Sequence, residues 1–242
     1  IYELMGFDEF ISLDNIKKYM DEDDIEYVRH YVSDRTSFKL VTDRLENKKP
    51  GEKMFLFNVT MQNHGGYTYD GGEFPTVTIS NLQGHYKEAE QYLSLIKESD
   101  KAFEELVRYL KNYDEPTIVV MFGDHQPAVE QEFYEELYGK SLSKLSTEEL
   151  QQRYKIPFVI WANYDIESQD DLKTSPNYLS DLLLDTANVP KNEIENFTSE
   201  VRNDVPQINA MGHYDSDGNW VSRDEDTSNA LDKYEAVEYY ML

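Results

Sequence analysis

An aspartate and a histidine stand side by side at the end of an apolar segment in the middle of the chain. Residues 116–122 (Pro-Thr-Ile-Val-Val-Met-Phe) are rich in β-branched side chains, which is typical of a strand buried on both faces. Gly123 ends this segment, and Asp124 and His125 follow at once. A carboxylate and an imidazole there offer oxygen and nitrogen ligands to a divalent metal. The residues alone leave a second interpretation open, in which Asp124 caps a turn and His125 is an ordinary loop histidine.

A second polar cluster follows another apolar segment. Residues 53–60 (Lys-Met-Phe-Leu-Phe-Asn-Val-Thr) predict a buried strand, and His64 comes shortly after its end. The order strand, loop, helix, strand favours a right-handed crossover between parallel strands, so both strands would end at the same sheet edge. Ligands of open α/β sheets gather beyond that edge. We therefore predict that His64 approaches Asp124 and His125.

Periodicity and turn residues assign the remaining elements. Residues 156–162 predict a third strand, and Pro157 places its start at an edge or outside the ladder. Residues 33–45, 84–112, 128–153 and 175–187 predict helices, and Asp217-Gly218 predicts a hairpin turn. The chain is therefore expected to form one α/β domain with a mostly parallel sheet flanked by helices. Its core would span about residues 51–190, with a small C-terminal α+β portion over about 191–242.

Composition excludes several kinds of partner and chemistry. The 242 residues include 48 acidic and 23 basic side chains, a formal net charge of −25, which favours solubility and repels nucleic acid and anionic membrane surfaces. No apolar run reaches the length of a membrane span, and no signal peptide is recognisable. Cys is absent, so disulfides, thiolate metal sites and a cysteine nucleophile are excluded within this chain. Because the chain begins at Ile1, we expect a piece of a longer or processed protein.

Four segments occur in an order that is similar to one enzyme family. They are residues 58–67 (Asn-Val-Thr-Met-Gln-Asn-His-Gly-Gly-Tyr), 119–127 (Val-Val-Met-Phe-Gly-Asp-His-Gln-Pro), 156–163 (Ile-Pro-Phe-Val-Ile-Trp-Ala-Asn) and 231–240 (Leu-Asp-Lys-Tyr-Glu-Ala-Val-Glu-Tyr-Tyr). Together they resemble the extracellular domain of lipoteichoic acid synthase-like phosphoglycerol transferases, a branch of the sulfatase/alkaline phosphatase superfamily. The resemblance runs from near Tyr2 to the C-terminus and implies that superfamily's fold.

The resemblance also implies roles for individual residues. Asp124 and His125 match a pair of metal ligands. Mn²⁺ is the usual metal of this branch, and another divalent metal stays an alternative. His64 matches a histidine that contacts the substrate phosphate or the leaving group, which implies a catalytic and substrate-binding role. The family's Glu ligand, Thr nucleophile and substrate-binding Arg lie upstream in the family order. We therefore expect this chain to be the C-terminal half of the catalytic domain, unable to turn over alone and weak in metal binding.

The implied function is the transfer of phosphoglycerol from a lipid-linked donor, through a covalent intermediate on the upstream Thr. The substrate would be a glycerophospholipid or polyglycerophosphate, and upstream transmembrane helices would hold the domain at the extracellular face of the cell membrane. Two alternatives stay open. One is a sulfatase, phosphodiesterase or phosphoethanolamine transferase of the same superfamily, and the other is a non-catalytic acidic surface module that binds a partner.

Overall fold

The computed structural model describes residues 2–71, 75–225 and 229–241. The chain divides into two compact units, which are described in turn. Among the described helices, none combines the length and the apolar character that a membrane crossing requires.

The first unit comprises Ile1–Tyr113 and Pro127–Lys144, and two helices dominate it. Its helices and strands are β1 (Tyr27–Val28), β2 (Tyr31–Val32), α1 (Asp34–Glu46), α2 (Lys87–Leu110) and α3 (Gln131–Tyr138), with 3-10 helices at Tyr2–Met5, Ile16–Lys18, Glu22–Asp24 and Leu142–Lys144. β1 and β2 form an antiparallel hairpin in which Val28 pairs with Tyr31. A cluster of buried apolar side chains, Ile16, Met20 and Ile25, packs against Val32 and Leu40.

The two long helices form where the sequence predicts them. The Ser33 side chain caps α1 by accepting a hydrogen bond from the backbone N–H of Thr36. One face of α2 is buried at helical spacing, through Ala89, Leu95, Ala102, Leu106 and Leu110. Both α1 and α2 are therefore confirmed, and the Arg35 guanidinium links them by two hydrogen bonds, of 2.8 and 2.9 Å, to the Glu105 carboxylate.

The predicted strand at residues 53–60 is wrong. No described strand pairs with this segment, and its side chains are largely exposed, with Phe55 at 71%, Phe57 at 52% and Val59 at 60%. An apolar β-prone segment becomes a strand only where another strand satisfies its backbone N–H and C=O groups. The argument that brought His64 to the edge of a parallel sheet therefore loses its first strand.

The second unit comprises Asp114–Gln126 and Leu145–Leu242. Its helices and strands are β3 (Ile118–Phe122), α4 (Thr147–Leu150), β4 (Phe158–Ala162), α5 (Leu179–Thr186), α6 (Glu193–Asp204), β5 (Gln207–Asn209), β6 (Gly212–Tyr214), β7 (Trp220–Ser222) and α7 (Asn229–Met241), with 3-10 helices at Gln151–Tyr154, Pro176–Tyr178 and Arg223–Glu225. Buried Tyr178, Val201 and Tyr234 form its described core cluster.

The paired strands of the second unit are antiparallel, which corrects the expectation of a mostly parallel sheet. β3 pairs with β4 from Ile118 opposite Ala162 to Phe122 opposite Phe158. Pro157 lies just outside this ladder, as predicted, and its carbonyl accepts a hydrogen bond from Gly123 at 3.2 Å. β3 is half-buried rather than buried on both faces. β5, β6 and β7 form a separate antiparallel sheet, whose turn at Asp217-Gly218 confirms the predicted hairpin.

Candidate functional site

Asp124 and His125 lie in the turn that follows β3, and both side chains are exposed. The Asp124 Oδ2 and His125 Nε2 atoms are 3.4 Å apart. His125 Nδ1 lies 2.8 Å from the carbonyl oxygen of Gln126. When Nδ1 carries the hydrogen and donates it to that carbonyl, Nε2 keeps its lone pair. One carboxylate oxygen and one imidazole nitrogen therefore converge at the end of the strand.

The backbone of this turn is anchored while its two side chains project outward. The His125 N–H donates to Asp124 Oδ1 at 2.8 Å. The Gln126 side-chain amide donates to the carbonyls of Gln152, at 2.7 Å, and Lys155, at 3.0 Å. Gln126 therefore ties the turn to the segment that precedes β4.

The two converging atoms fit a divalent metal. Oxygen and nitrogen ligands at about 2.0–2.2 Å from a metal lie roughly 3–3.5 Å from each other in octahedral or tetrahedral geometry. A metal-ligating histidine commonly donates its other ring N–H to a backbone carbonyl, as the Nδ1 contact of His125 allows. In the part of the chain that the structure describes, no three His, Asp, Glu or Cys side chains are grouped for metal binding. Asp124 and His125 thus offer part of a coordination shell.

His64 lies in the first unit, in a loop with a firmly held backbone and an exposed imidazole. The Arg29 guanidinium donates to three carbonyls of this loop: Gln62 at 2.8 Å, His64 at 2.9 Å and Gly66 at 3.1 Å. The His64 N–H donates to the Met61 carbonyl at 3.0 Å. These bonds fix the position from which the imidazole of His64 projects.

A buried polar network supports the same loop from below. The fully buried Gln62 side chain accepts from the backbone N–H of Asp34 at 3.0 Å and donates to the Ser99 hydroxyl at 3.1 Å. Asn63 donates to the same hydroxyl at 2.8 Å, and Tyr67 donates its hydroxyl hydrogen to the Asn63 carbonyl at 2.9 Å. The loop is therefore tied to the starts of α1 and to the middle of α2.

Burial shifts the pKa values of two charged side chains that support the loop, Asp34 and Arg29. Burial raises the pKa of Asp34, and hydrogen bonds from Ser99 and Thr60 oppose that rise only in part. Partial burial lowers the pKa of Arg29, which nonetheless stays charged because a guanidinium titrates far above neutral pH. The Arg29 guanidinium lies 5.4 Å from the ring centre of Tyr31 and 5.7 Å from that of Tyr67, so aromatic faces replace part of its hydration.

The structure brings Asp124 and His125 together but leaves the third predicted residue to a separate unit. His64 belongs to the first unit and the Asp124/His125 pair to the second, so a site shared by all three stays a prediction. Sequence reasoning missed Arg29 and Tyr31. Their signal was a Tyr-Val pair repeated around Arg29-His30, which is a hairpin pattern whose central residues are not ordinary turn formers.

Comparisons with known proteins identify the family of the chain. The family model described as Sulfatase matches residues 1–189. The chain therefore belongs to the sulfatase family, and the predicted superfamily is confirmed.

A solved structure extends the match over nearly the whole chain. The phosphoglycerol transferase GacH from Streptococcus pyogenes, solved in complex with sn-glycerol-1-phosphate, superposes with a TM-score of 0.66. The match covers 97% of this chain and 53% of that one, at 20% sequence identity. At this identity the match shows a shared fold, and it supports the sulfatase/alkaline phosphatase-like architecture.

Two curated relatives come from Rhizobium meliloti (strain 1021). A protein provisionally named for cyclic beta-1,2-glucan modification is 27% identical over 195 residues, which cover 77% of this chain and 29% of that protein. The capsular polysaccharide biosynthesis protein RkpI is 30% identical over 124 residues, which cover 51% of this chain and 20% of that protein. The chain thus spans less than a third of the curated relatives it matches.

Proposed function

We propose that this chain is the C-terminal half of the catalytic domain of a metal-dependent phosphoglycerol transferase. The enzyme takes a glycerophosphate group from a lipid-linked donor, a glycerophospholipid or polyglycerophosphate, and carries it covalently on a Thr outside this chain. The observation that carries the proposal is the convergence of Asp124 Oδ2 and His125 Nε2 at the end of β3, in a chain of the sulfatase family.

We assign the following roles to the residues. Asp124 and His125 would hold Mn²⁺ or another divalent metal. When bound, that ion would offset the negative charge of the phosphate oxygens and activate the nucleophile. The hydrogen bond from Nδ1 to the Gln126 carbonyl orients the His125 ring and directs its Nε2 lone pair outward. His64 contacts the substrate phosphate or gives a hydrogen to the leaving group, a task that suits an exposed imidazole on a fixed loop.

The comparisons support this substrate class and suggest an acceptor. The solved structure that superposes on the chain is a phosphoglycerol transferase bound to sn-glycerol-1-phosphate. The names of both curated relatives concern glycans, one a cyclic glucan and the other a capsular polysaccharide. We therefore place a surface glycan among the acceptors to be tested. Nucleic acid is not a partner in this proposal, because the net charge of −25 repels it.

The proposed setting is the extracellular face of the cell membrane. Transmembrane helices outside this chain would anchor the enzyme there, where a lipid-linked donor is accessible. Support comes from the chain's coverage of about half of the GacH structure and less than a third of the curated relatives, which leaves room for further segments.

Family membership alone is equally compatible with a sulfatase, phosphodiesterase or phosphoethanolamine transferase. These enzymes share metal-assisted attack on a tetrahedral ester and differ in nucleophile and leaving group. The alternative from another class is a non-catalytic acidic module that keeps the Asp124/His125 pair without turnover. The donor from which the enzyme releases product therefore distinguishes these activities, and a lack of turnover with every donor indicates the non-catalytic module.

The test uses the complete catalytic domain, including the residues upstream of this chain, with Mn²⁺. It compares phosphatidylglycerol, phosphatidylethanolamine, a diester such as bis(p-nitrophenyl) phosphate and an aryl sulfate, and follows release of diacylglycerol or nitrophenol. We expect Mn²⁺-dependent diacylglycerol release from phosphatidylglycerol above all other donors. Preference for the sulfate or for phosphatidylethanolamine would replace the proposal by that activity, and absence of turnover with every donor would favour the binding module.

A further inference from the structure

The imidazole of His64 has a hydroxyl neighbour on one side of its ring. Tyr31 Oη lies 3.2 Å from His64 Nδ1, and the two ring centres are 5.7 Å apart. Tyr31 lies on β2, in the same hairpin that carries Arg29. One hairpin therefore contacts both the backbone of the His64 loop, through Arg29, and its imidazole, through Tyr31.

The direction of the hydrogen bond between Tyr31 and His64 follows from the two groups. A phenol is a stronger hydrogen-bond donor than a neutral imidazole N–H, and imidazole nitrogen is the better acceptor. The Arg29 guanidinium, 5.4 Å from the centre of the Tyr31 ring, adds a positive charge that favours donation by the hydroxyl. A hydrogen bond accepted at Nδ1 leaves the hydrogen of neutral His64 on Nε2.

The backbone of Arg29 gives an independent sign that this hairpin is specialised. Arg29 has φ 58°, in the left-handed region, and is the first of the two residues that connect β1 to β2. Gly, Asn or Asp ordinarily occupies such a position, and another residue costs roughly 1 kcal/mol there. Strained backbone persists where the surroundings demand a particular side chain, and the three loop carbonyls bound by the guanidinium are such a demand.

We propose that Arg29 and Tyr31 are positioning residues for His64. Arg29 fixes the backbone of the loop, and Tyr31 holds the imidazole in the tautomer that carries its hydrogen on Nε2. The inference rests on the proposed function, in which this Nε2–H donates to a phosphate oxygen or to the leaving group. The opposite tautomer would direct a lone pair at a negatively charged oxygen, so loss of Tyr31 weakens the chemical step more than substrate binding.

The first experiment measures the tautomer on this chain without any turnover. The chain is labelled with ¹⁵N at its five histidines, and two-bond ¹H–¹⁵N correlation spectra are recorded at a pH about two units above the ordinary imidazole pKa of ~6.5. The variant His64→Gln assigns the signal. We expect His64 with its hydrogen on Nε2, and a shift toward a mixture of both tautomers in Tyr31→Phe.

The matched control for this measurement is Tyr27→Phe. Tyr27 lies on β1 of the same hairpin and is exposed, so its hydroxyl is removed without touching His64. The His64 signal should stay unchanged in this variant. A wild-type His64 with its hydrogen on Nδ1, or an unchanged signal in Tyr31→Phe, would overturn the proposal.

The second experiment separates positioning by Arg29 from mere structural support. Arg29→Gly relieves the backbone strain, so we expect the complete catalytic domain to keep its melting temperature. Its kcat should nevertheless fall about tenfold or more, because a loosened loop misplaces the imidazole. Arg29→Lys should fall similarly, since an ammonium cannot fork to three carbonyls, whereas Arg108→Lys at an exposed pair with Glu104 should match wild type.

The outcomes distinguish this inference from the proposed function. If the wild-type domain releases nothing from a glycerophospholipid while the His64 tautomer responds to Tyr31→Phe, the proposed function fails and the positioning contact stands. If the domain is active while Tyr31→Phe and Arg29→Gly leave kcat unchanged, the positioning role fails alone. A parallel loss of melting temperature and kcat in Arg29→Gly would also contradict it, by showing structural support instead.

Discussion

The loop of His64 and the turn of Asp124 and His125 both follow apolar segments, and both expose the side chains of these candidate site residues. They differ in how they are restrained. In the loop, hydrogen bonds from the chain itself satisfy the carbonyls of Met61, Gln62, Asn63, His64 and Gly66. In the turn, Gln126 anchors the backbone, and the two side chains contact little besides each other and the adjacent backbone.

This difference corresponds to two ways of building a site. A group that donates a hydrogen bond must be correctly placed before the substrate arrives, and that requires a rigid support. Metal ligands can be less restrained, because the ion itself supplies several kcal/mol of interaction when it binds. The firmer support of the loop is thus consistent with the hydrogen-bonding role proposed for His64, and the looser turn with the metal-binding role proposed for Asp124 and His125.

The largest loss of turnover is expected from substitutions in the turn of Asp124 and His125. In the complete catalytic domain, Asp124→Ala or His125→Ala should each reduce Mn²⁺-dependent turnover on the order of 10³-fold, because the metal's stabilisation of charge is lost. Isothermal titration should show weakened Mn²⁺ binding in parallel. Asp165→Ala is the matched control, since Asp165 is exposed and follows the partner strand β4. Wild-type turnover in both site variants would show that the pair does not bind the metal.

A smaller loss of turnover is expected from substitution of His64 in the loop. His64→Ala should reduce kcat about 10²-fold, the usual contribution of a general acid, and should leave Mn²⁺ affinity unchanged. His85→Ala, at another exposed histidine of the same unit, should leave both quantities at wild-type values. Reduced Mn²⁺ affinity in His64→Ala would remove the distinction between the two segments, since the loop would then belong to the metal site.

The free energy of unfolding should depend more on the loop of His64 than on the turn of Asp124 and His125, which reverses the order expected for turnover. Gln62→Ala removes a buried side chain that bonds the Asp34 N–H and the Ser99 hydroxyl, and should cost about 1–3 kcal/mol of unfolding free energy. Asp124→Ala should change it by less than about 0.5 kcal/mol, because the side chain is exposed. Urea denaturation measures both, with the exposed Gln152→Ala as control. Equal changes in the two site variants would contradict the difference in restraint.

The smallest expected effect is a pH dependence of the unfolding free energy that comes from Asp34, which lies in the buried polar network beneath the loop of His64. Because burial raises the pKa of Asp34, the folded state binds a proton more tightly than the unfolded state. Asp34 therefore lowers the unfolding free energy as pH rises from its ordinary value of about 3.9 through the raised one. Asp34→Asn should remove this component, seen as the difference between wild-type and variant urea curves across that range. Identical pH profiles would show that Asp34 has an ordinary pKa.

Local signals in the sequence predicted both long helices and the end of the strand that precedes Asp124 and His125. The Ser33 cap and the helical spacing from Ala89 to Leu110 are decided by neighbours along the chain, and both helices are confirmed. The sequence placed Asp124 and His125 directly after a strand because a β-branched segment and a glycine fix where that strand ends, and β3 ends at Phe122 as expected.

The errors concern interactions between distant segments. The apolar, β-prone side chains of residues 53–60 favour an extended backbone, but a strand also needs a partner that local sequence does not specify. The direction of pairing between β3 and β4 likewise depends on how the intervening chain returns, and it is antiparallel. Arg29 was missed because it occupies a turn position where the usual residue is glycine.

The exposed segment before His64 has a consequence for handling the protein. Residues 54–59 (Met-Phe-Leu-Phe-Asn-Val) form six consecutive residues without charge, proline or glycine, and Phe55, Phe57 and Val59 are exposed. Such segments stack readily into intermolecular cross-β assemblies. We therefore expect solutions of the isolated chain to scatter light increasingly with concentration and time. The net charge of −25 opposes this self-association, so added salt should accelerate it.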